Sequence, residues 1–106
     1  MQNELSSDFD SLTTISYEMK VGLTLRALRN FFAMSQTDLA SLCGVSRPTL
    51  SSLERGTAVR HSNAETLEKV VRFFISLGVE IELDGSCIRY RFSEAAVRLA
   101  LRPDKM

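Results

Sequence analysis

The stretch Ser35–Gly56, SQTDLASLCGVSRPTLSSLERG, predicts two short helices joined by a tight turn. Ser35 and Ser46 suit the helix starts, because a serine hydroxyl accepts a hydrogen bond from a backbone N–H of the first turn. Gly44 and Gly56 suit the helix ends, since glycine readily adopts the left-handed conformation found there. The segment therefore predicts a compact pair of capped helices.

The two predicted helices carry different surfaces. In the first, the apolar residues Leu39, Leu42 and Cys43 recur at helical spacing and predict an inward stripe. In the second, Leu50 and Leu53 point inward. Its outward side then carries Pro48, Ser51, Ser52 and Arg55, with Arg47 at the N-terminal tip. Such a face suits hydrogen bonding to base edges in the major groove of DNA.

Several further positions form a joint pattern with these helices. Gln36 opens the first helix, the small Ala40 lies where the two helices must nearly touch, and Glu54 precedes the final glycine. From about Leu25 to Leu77 the chain resembles the phage repressor and Cro-like (Xre) helix-turn-helix family. The resemblance implies a mainly α fold, with a repressor-like helix-turn-helix domain of four to five helices.

The resemblance also implies roles for individual side chains. Base contacts are expected from Arg47, Pro48, Ser52 and Thr49, and phosphate contacts from Gln36, Ser51, Arg55, Thr57 and Arg60. Arginine can donate two hydrogen bonds to guanine, and proline can touch a thymine methyl. For Thr49, Ser51 and Arg55, phosphate contact is as well supported as base contact. Arg29 and Glu54 match a pair that joins the first helix to the reading helix from inside, which is a structural role.

Composition indicates one small globular domain: 106 residues, 44% hydrophobic and 25% charged. The formal net charge is zero, so the distribution of charge matters more than its sum. Residues 1–20 are acidic, and residues 64–106 are balanced. Residues 21–63 hold five arginines against Asp38 and Glu54, so the basic excess falls on the proposed reading head.

Other classes of protein find little support in the sequence. No apolar run is long enough to span a membrane, and the amino terminus lacks the pattern of a signal peptide, so we expect a cytoplasmic protein. One histidine, no glycine-rich phosphate loop and no nucleophile elbow argue against an enzyme. Cys43, Cys87 and His61 make no convincing zinc site, so we expect two reduced core thiols and neither metal nor cofactor.

Outside the central motif, the N-terminal part of the chain divides into an arm and a domain. Residues 1–16 look like a flexible acidic arm. Residues 17–78 form the predicted DNA-binding domain, with a first helix over about Glu18–Ala33. After a loop TAVRHS, Ser62 and Glu65 match a capping box that would start a helix running to about Leu77.

Residues 79–106 predict a β-hairpin and a short last helix capped by Ser93. A two-residue turn at Asp84-Gly85 would pair Val79 with Tyr90, Ile81 with Ile88 and Leu83 with Ser86, and would set Glu80 opposite Arg89. We expect this unit to dimerise the protein through Phe73, Phe74, Leu77, Ile81, Ile88 and Tyr90. The alternative is that hairpin and tail close the protomer's own core.

These features predict a homodimeric transcription factor, a repressor that reads a palindromic site on double-stranded DNA with the helix Ser46 to Arg55. A second interpretation is an antitoxin that regulates its own operon and binds a toxin protein. A helix followed directly by a strand resembles some antitoxins of this family, and the acidic arm could bind a partner.

Overall fold

The fold is a set of five helices with one hairpin, taken from a computed structural model that describes residues 15–56 and 60–102, without the side chains of 60–63. The elements are α1 (Tyr17–Phe31), α2 (Gln36–Cys43), α3 (Arg47–Arg55), α4 (Arg60–Ser76), β1 (Val79–Leu83), β2 (Ile88–Phe92) and α5 (Glu94–Leu101). The predicted fold class is confirmed. The proposed acidic arm, up to residue 14, lies outside the described residues.

The first helix begins after a serine cap, and two residues after its end lies an alanine in an unusual conformation. The hydroxyl of Ser16 accepts a hydrogen bond from the Met19 N–H at 3.1 Å. After Phe31 the chain turns through Ala33, which has a φ of 57° and is the one non-glycine residue with positive φ among the described residues. The helix thus ends two residues before the predicted end, because the left-handed residue stops it.

One hydrophobic core joins the helices. It contains the buried residues Val21, Leu25, Leu28, Phe32, Met34, Leu39, Ala40, Leu50, Leu53, Val70, Phe74, Val79 and Ala96. These come from all five helices, the α1–α2 linker and β1. Burial of this shared apolar surface is the main favourable term in the folding of such a domain.

The fourth helix starts earlier than the capping box predicts. It begins at Arg60, so Ser62 lies inside the helix and the loop is shorter than expected. Residues 57–59, including Thr57, lie outside the described residues.

The hairpin forms, but its predicted register is wrong by two residues. Val79 lies opposite Phe92, Ile81 opposite Tyr90 and Leu83 opposite Ile88. A shift of two residues keeps each side chain on its predicted face. The shift also gives Leu83 the apolar partner Ile88 instead of Ser86, so all the pairs on this face join apolar or aromatic residues. On the other face Glu80 pairs with Arg91 and Glu82 with Arg89.

The turn chemistry explains the shift. The Asp84 carboxylate accepts hydrogen bonds from the backbone N–H groups of Ser86, at 2.9 Å, and Cys87, at 2.7 Å. These bonds close a four-residue loop instead of a two-residue turn. Because they favour the ionised carboxylate, they lower the pKa of Asp84 below its ordinary value.

The hairpin packs along the first helix of its own protomer. The Phe92 ring stacks on Phe31 with centroids 3.7 Å apart, and Lys20 Nζ donates to the Ser86 carbonyl at 3.2 Å. Val79 is fully inside the core. Part of the C-terminal unit therefore closes the core, as the alternative interpretation expected, and Phe74, predicted at a dimer interface, is instead fully buried within the protomer.

The last helix is only partly covered. The Ser93 hydroxyl accepts the Ala96 N–H at 3.1 Å, as the predicted cap requires, and Ala96 is buried. Val97 and Leu101, one helical turn apart, are exposed, Leu101 by 76%. No helix in residues 15–56 and 60–102 is both long and apolar enough to cross a membrane.

Both cysteines are free, but only one approaches the core. Cys43 is half-buried and Cys87 is exposed in the hairpin turn, so the expectation of two core thiols is wrong for Cys87. The predicted two-residue turn placed Cys87 within the second strand, whereas the four-residue loop leaves it in solvent.

We predict that Ala33→Gly stabilises the protein by about 0.5 to 1 kcal/mol, because glycine adopts positive φ without the steric cost that alanine pays. Ala27→Gly is the matched control, since Ala27 is exposed inside α1 and glycine there should cost about 1 kcal/mol. Urea unfolding of both variants measures the two effects. Destabilisation by both would show that the α1 terminus is not strained.

Candidate DNA-reading interface

The two helices of the motif have the predicted caps. Ser35 Oγ accepts the Asp38 N–H at 3.0 Å, and Ser46 Oγ accepts the Thr49 N–H at 3.2 Å. Gly44 and Gly56 end the helices with φ values of 74° and 71°. Proline is accommodated in the first turn of α3, where its missing N–H would have had no helical partner.

The inward sides of α2 and α3 pack against each other. Leu39, Ala40, Leu50 and Leu53 are buried together. Leu42, predicted in the same stripe, is instead 52% exposed, because the buried side of α2 is centred on Leu39, Ala40 and Cys43 and Leu42 points about 100° away from it. Burial raises the pKa of the neighbouring Cys43 thiol to about 11, which keeps that thiol protonated at neutral pH.

The outward side of α3 is accessible to a ligand. Arg47, Pro48 and Arg55 are exposed, and Thr49, Ser51 and Ser52 are partly exposed. The Arg55 guanidinium donates to Ser51 Oγ at 2.7 Å, and the hydroxyls of Ser46 and Thr49 are 2.6 Å apart. The last contact turns the Thr49 hydroxyl toward the helix cap.

A buried ion pair holds α3 in place from behind. Arg29 Nε donates to Glu54 Oε2 at 2.8 Å, and Arg29 Nη2 donates to Glu54 Oε1 at 3.0 Å. The Glu54 side chain is only 2% exposed. Arg29 Nη1 also donates to the Met34 carbonyl at 2.9 Å. The predicted pair thus forms in two-pronged geometry, the strong form of a carboxylate–guanidinium contact.

Gln36 belongs to the same network. Its side-chain Nε2 donates to Glu54 Oε1 at 3.0 Å, so this N–H group points into the protein. The expected phosphate contact is left to the second Nε2 hydrogen or to the backbone N–H of Gln36, which has no helical partner because the residue opens α2. Among the described residues, no buried polar side-chain atom lacks a hydrogen-bond partner.

Gly22 was missed by the sequence analysis and lies at the closest approach of α1 to α3. A Cβ at this position would overlap the Glu54 carbonyl and lie 2.7 Å from the Leu53 carbonyl oxygen. A glycine inside a helical apolar pattern signals such a close backbone contact. At the end of α3, a Cβ on Gly56 would lie 2.7 Å from Met19 Cα.

The remaining predicted contact residues are only partly described. Arg60 is the first residue of α4, which places its backbone near the end of the loop that follows α3. Its side chain and all of Thr57 lie outside the described atoms, so their phosphate contacts stay predictions.

Residues 25–76, from the middle of α1 to the end of α4, match the family model described as Helix-turn-helix. This match spans about half of the chain and includes the two motif helices and the Arg29–Glu54 pair. The chain therefore contains an Xre-like helix-turn-helix domain. The family's domain is a DNA-binding regulatory module, so this helix-turn-helix protein is a DNA-binding transcriptional regulator. Searches of curated proteins and of solved structures found no match.

We predict that Glu54→Ala lowers the stability of the helix-turn-helix protein by about 3 to 5 kcal/mol, because it leaves Arg29 charged and largely buried without its partner. DNA affinity should fall together with stability, since α3 loses its support. Thermal melting and DNA titration at a temperature where the variant is folded measure both effects.

The matched control for this change is Glu68→Ala. Glu68 and Arg72 form an ion pair of 2.6 Å on the surface of α4, which should contribute under about 1 kcal/mol. An unchanged melting temperature for Glu54→Ala, or equal losses in both variants, would contradict the structural role of the buried pair.

We predict that Gly22→Ala destabilises the protein by about 1 to 3 kcal/mol, although alanine is the better helix former. The added methyl would push α1 away from the end of α3. Arg26→Ala, on an exposed side of α1, should change stability by no more than about 0.5 kcal/mol. Stabilisation by Gly22→Ala in urea unfolding would show that the two backbones have room to separate.

Proposed function

We propose that the helix-turn-helix protein is a homodimeric repressor that places α3 of each protomer in the major groove of a pseudo-palindromic operator. The observation that carries this proposal is the accessible outward side of α3, with Arg47 at its N-terminal tip and small polar side chains along it. Recognition helices of such dimers lie about 34 Å apart, one turn of DNA. Occupying the operator would block access of RNA polymerase.

The proposed base contacts come from the N-terminal half of α3. Arg47 is exposed and has no ion-pair partner among residues 15–56 and 60–102, so its guanidinium is available for two hydrogen bonds to guanine. Pro48 offers an apolar contact to a thymine methyl, and Ser52 a hydroxyl. Thr49 would have to turn from Ser46 to meet a base.

The proposed phosphate contacts lie along the edges of the same side. The hydrogen bond between Arg55 and Ser51 orients the guanidinium before DNA arrives. Arg60 and Thr57 would follow the backbone after α3. Such contacts position the protein and make its affinity fall with salt, because each phosphate contact releases counterions.

The proposed dimer surface combines the end of α4 with the hairpin. Ile75 and Tyr90 are 49% and 42% exposed, and with Ile81 they line an open groove of about 610 Å³. Phe73, Leu77, Ile81 and Ile88 are only partly buried by their own protomer. These side chains can still lose solvent contact in a symmetric pair, whereas Phe74 cannot.

A second candidate is the antitoxin. It is favoured by the apolar pair Val97 and Leu101 on α5, which lies apart from the groove and would suit a protein partner. Co-purification of the protein with the product of a neighbouring gene, lost in Leu101→Glu, would identify this function. A neighbouring product that never co-purifies would exclude that product as the toxin.

We predict that Arg47→Ala weakens the binding free energy for the selected operator by about 1 to 3 kcal/mol and leaves the affinity for random DNA unchanged. Arg60→Ala should weaken binding to all sequences alike. Operators are first selected from a random duplex pool, and both variants are then titrated with operator and random DNA at one salt concentration. Equal losses on both DNAs for Arg47→Ala would contradict its role in base readout.

We predict that Tyr90→Glu raises the dimer dissociation constant about tenfold or more, because it places a charge in an apolar interface. Leu23→Glu removes an exposed apolar residue from α1, 56% exposed against 42% for Tyr90, and should leave the dimer intact. Sedimentation velocity compares the three proteins. If the wild type is a monomer at concentrations well above its Kd for the operator, the dimer is excluded.

A further inference from the structure

The arginines of α3 differ from most other exposed arginines of the helix-turn-helix protein. On α4, the hairpin and α5, four arginines each form an ion pair with a nearby glutamate, namely Arg72, Arg89, Arg91 and Arg98. Arg47 and Arg55 have no such partner among the described residues. The outward side of α3 thus keeps positive charge that an acidic ligand can neutralise.

The protein carries an acidic segment of its own. Residues 1–14, MQNELSSDFDSLTT, contain the three acids Glu4, Asp8 and Asp10 and no lysine or arginine. We call these residues the acidic arm. Carboxylates bind guanidinium groups as phosphates do, because both present oxygens that accept two hydrogen bonds.

The acidic arm joins the domain beside the end of α3. The chain enters α1 at Tyr17, and the first turn of α1 lies against Gly56, where a Cβ would be 2.7 Å from Met19 Cα and 3.0 Å from the Glu18 carbonyl oxygen. Helix α3 is about 13 Å long, while fourteen residues can extend to about 46 Å. Glu4 lies eleven residues before Ile15, a span of up to about 36 Å, and Asp10 lies five residues before it, a span of up to about 17 Å. The arm is therefore long enough to place acids at Arg55 and to extend along α3 to Arg47.

We propose that the acidic arm binds the outward side of α3 and competes with DNA for Arg47 and Arg55. This inference rests on the proposed DNA-reading role of α3. A short tether gives the arm an effective concentration of about millimolar, so even weak ion pairs are populated. The groove beside Tyr90 is a poorer partner for the arm, because its arginines are already neutralised by Glu80 and Glu82.

The test uses the full chain with Asp8→Asn and Asp10→Asn together, and a random-sequence duplex of about 20 base pairs as the probe. At about 50 mM salt the variant should bind about two- to tenfold more tightly than the wild type, as expected for two exposed ion pairs. At about 300 mM salt the difference should fall below about twofold, since salt screens both contacts.

The matched control changes Glu68→Gln and Glu94→Gln, which alters net charge equally and frees the arginines of two surface pairs away from the arm. Its gain in affinity should be smaller than that of the arm variant. Equal affinity of wild type and arm variant at low salt, or an equal gain in the control, would overturn the competition.

Amide chemical shifts of the DNA-free protein provide a readout that does not depend on DNA binding. The arm variant should shift the signals of Ser51, Ser52 and Arg55 relative to wild type, and leave those of α5 unchanged. Unmoved α3 signals would overturn the inference. If the α3 signals differ between the two proteins as expected but neither protein binds the duplex, the result would contradict the proposed function and still support binding of the arm to α3.

Discussion

The contact between Arg29 and Glu54 determines where the reading helix lies. Two hydrogen bonds join the side chains across the α1–α3 interface, and the glutamate is almost completely shielded from water. A buried charge that lost its partner would be strongly unfavourable, so α3 is held at one position against α1. The Glu54 carboxylate also accepts a hydrogen bond from Gln36 Nε2, and the Arg29 guanidinium also donates one to the Met34 carbonyl. These bonds extend the constraint to α2 and the α1–α2 linker.

This constraint separates buried charge from exposed charge. Arg29 is neutralised inside the domain, while Arg47 and Arg55 remain on the outward side without an acidic partner among the described residues. The separation depends on close backbone packing, because Gly22 lets α1 approach the end of α3 without a side chain between them. A protein with no net charge can thus still present a local positive surface to DNA.

The hairpin and α5 are part of the domain's own packing. Phe92 stacks on Phe31 and Val79 enters the core, so the hairpin completes the domain that carries α3. Apolar surface remains at Ile75 and Tyr90, next to that contact. The hairpin thus supports the fold with some side chains and leaves others exposed for the proposed dimer.

The sequence alone determined the caps of α2, α3 and α5, the glycine stops and the pairing of Arg29 with Glu54, because these depend on local hydrogen bonding and on a spacing that the motif makes recognisable. Only the tertiary structure decided the hairpin register, the exposure of Leu42 and the burial of Phe74. A two-residue shift leaves the alternating pattern unchanged, and the Asp84 hydrogen bonds then choose between registers. Likewise, helical spacing identifies an apolar side but does not say which neighbour covers it. The hydrogen bond of Gln36 to Glu54 and the close contact of Gly22 with α3 both depend on how α1, α2 and α3 pack together.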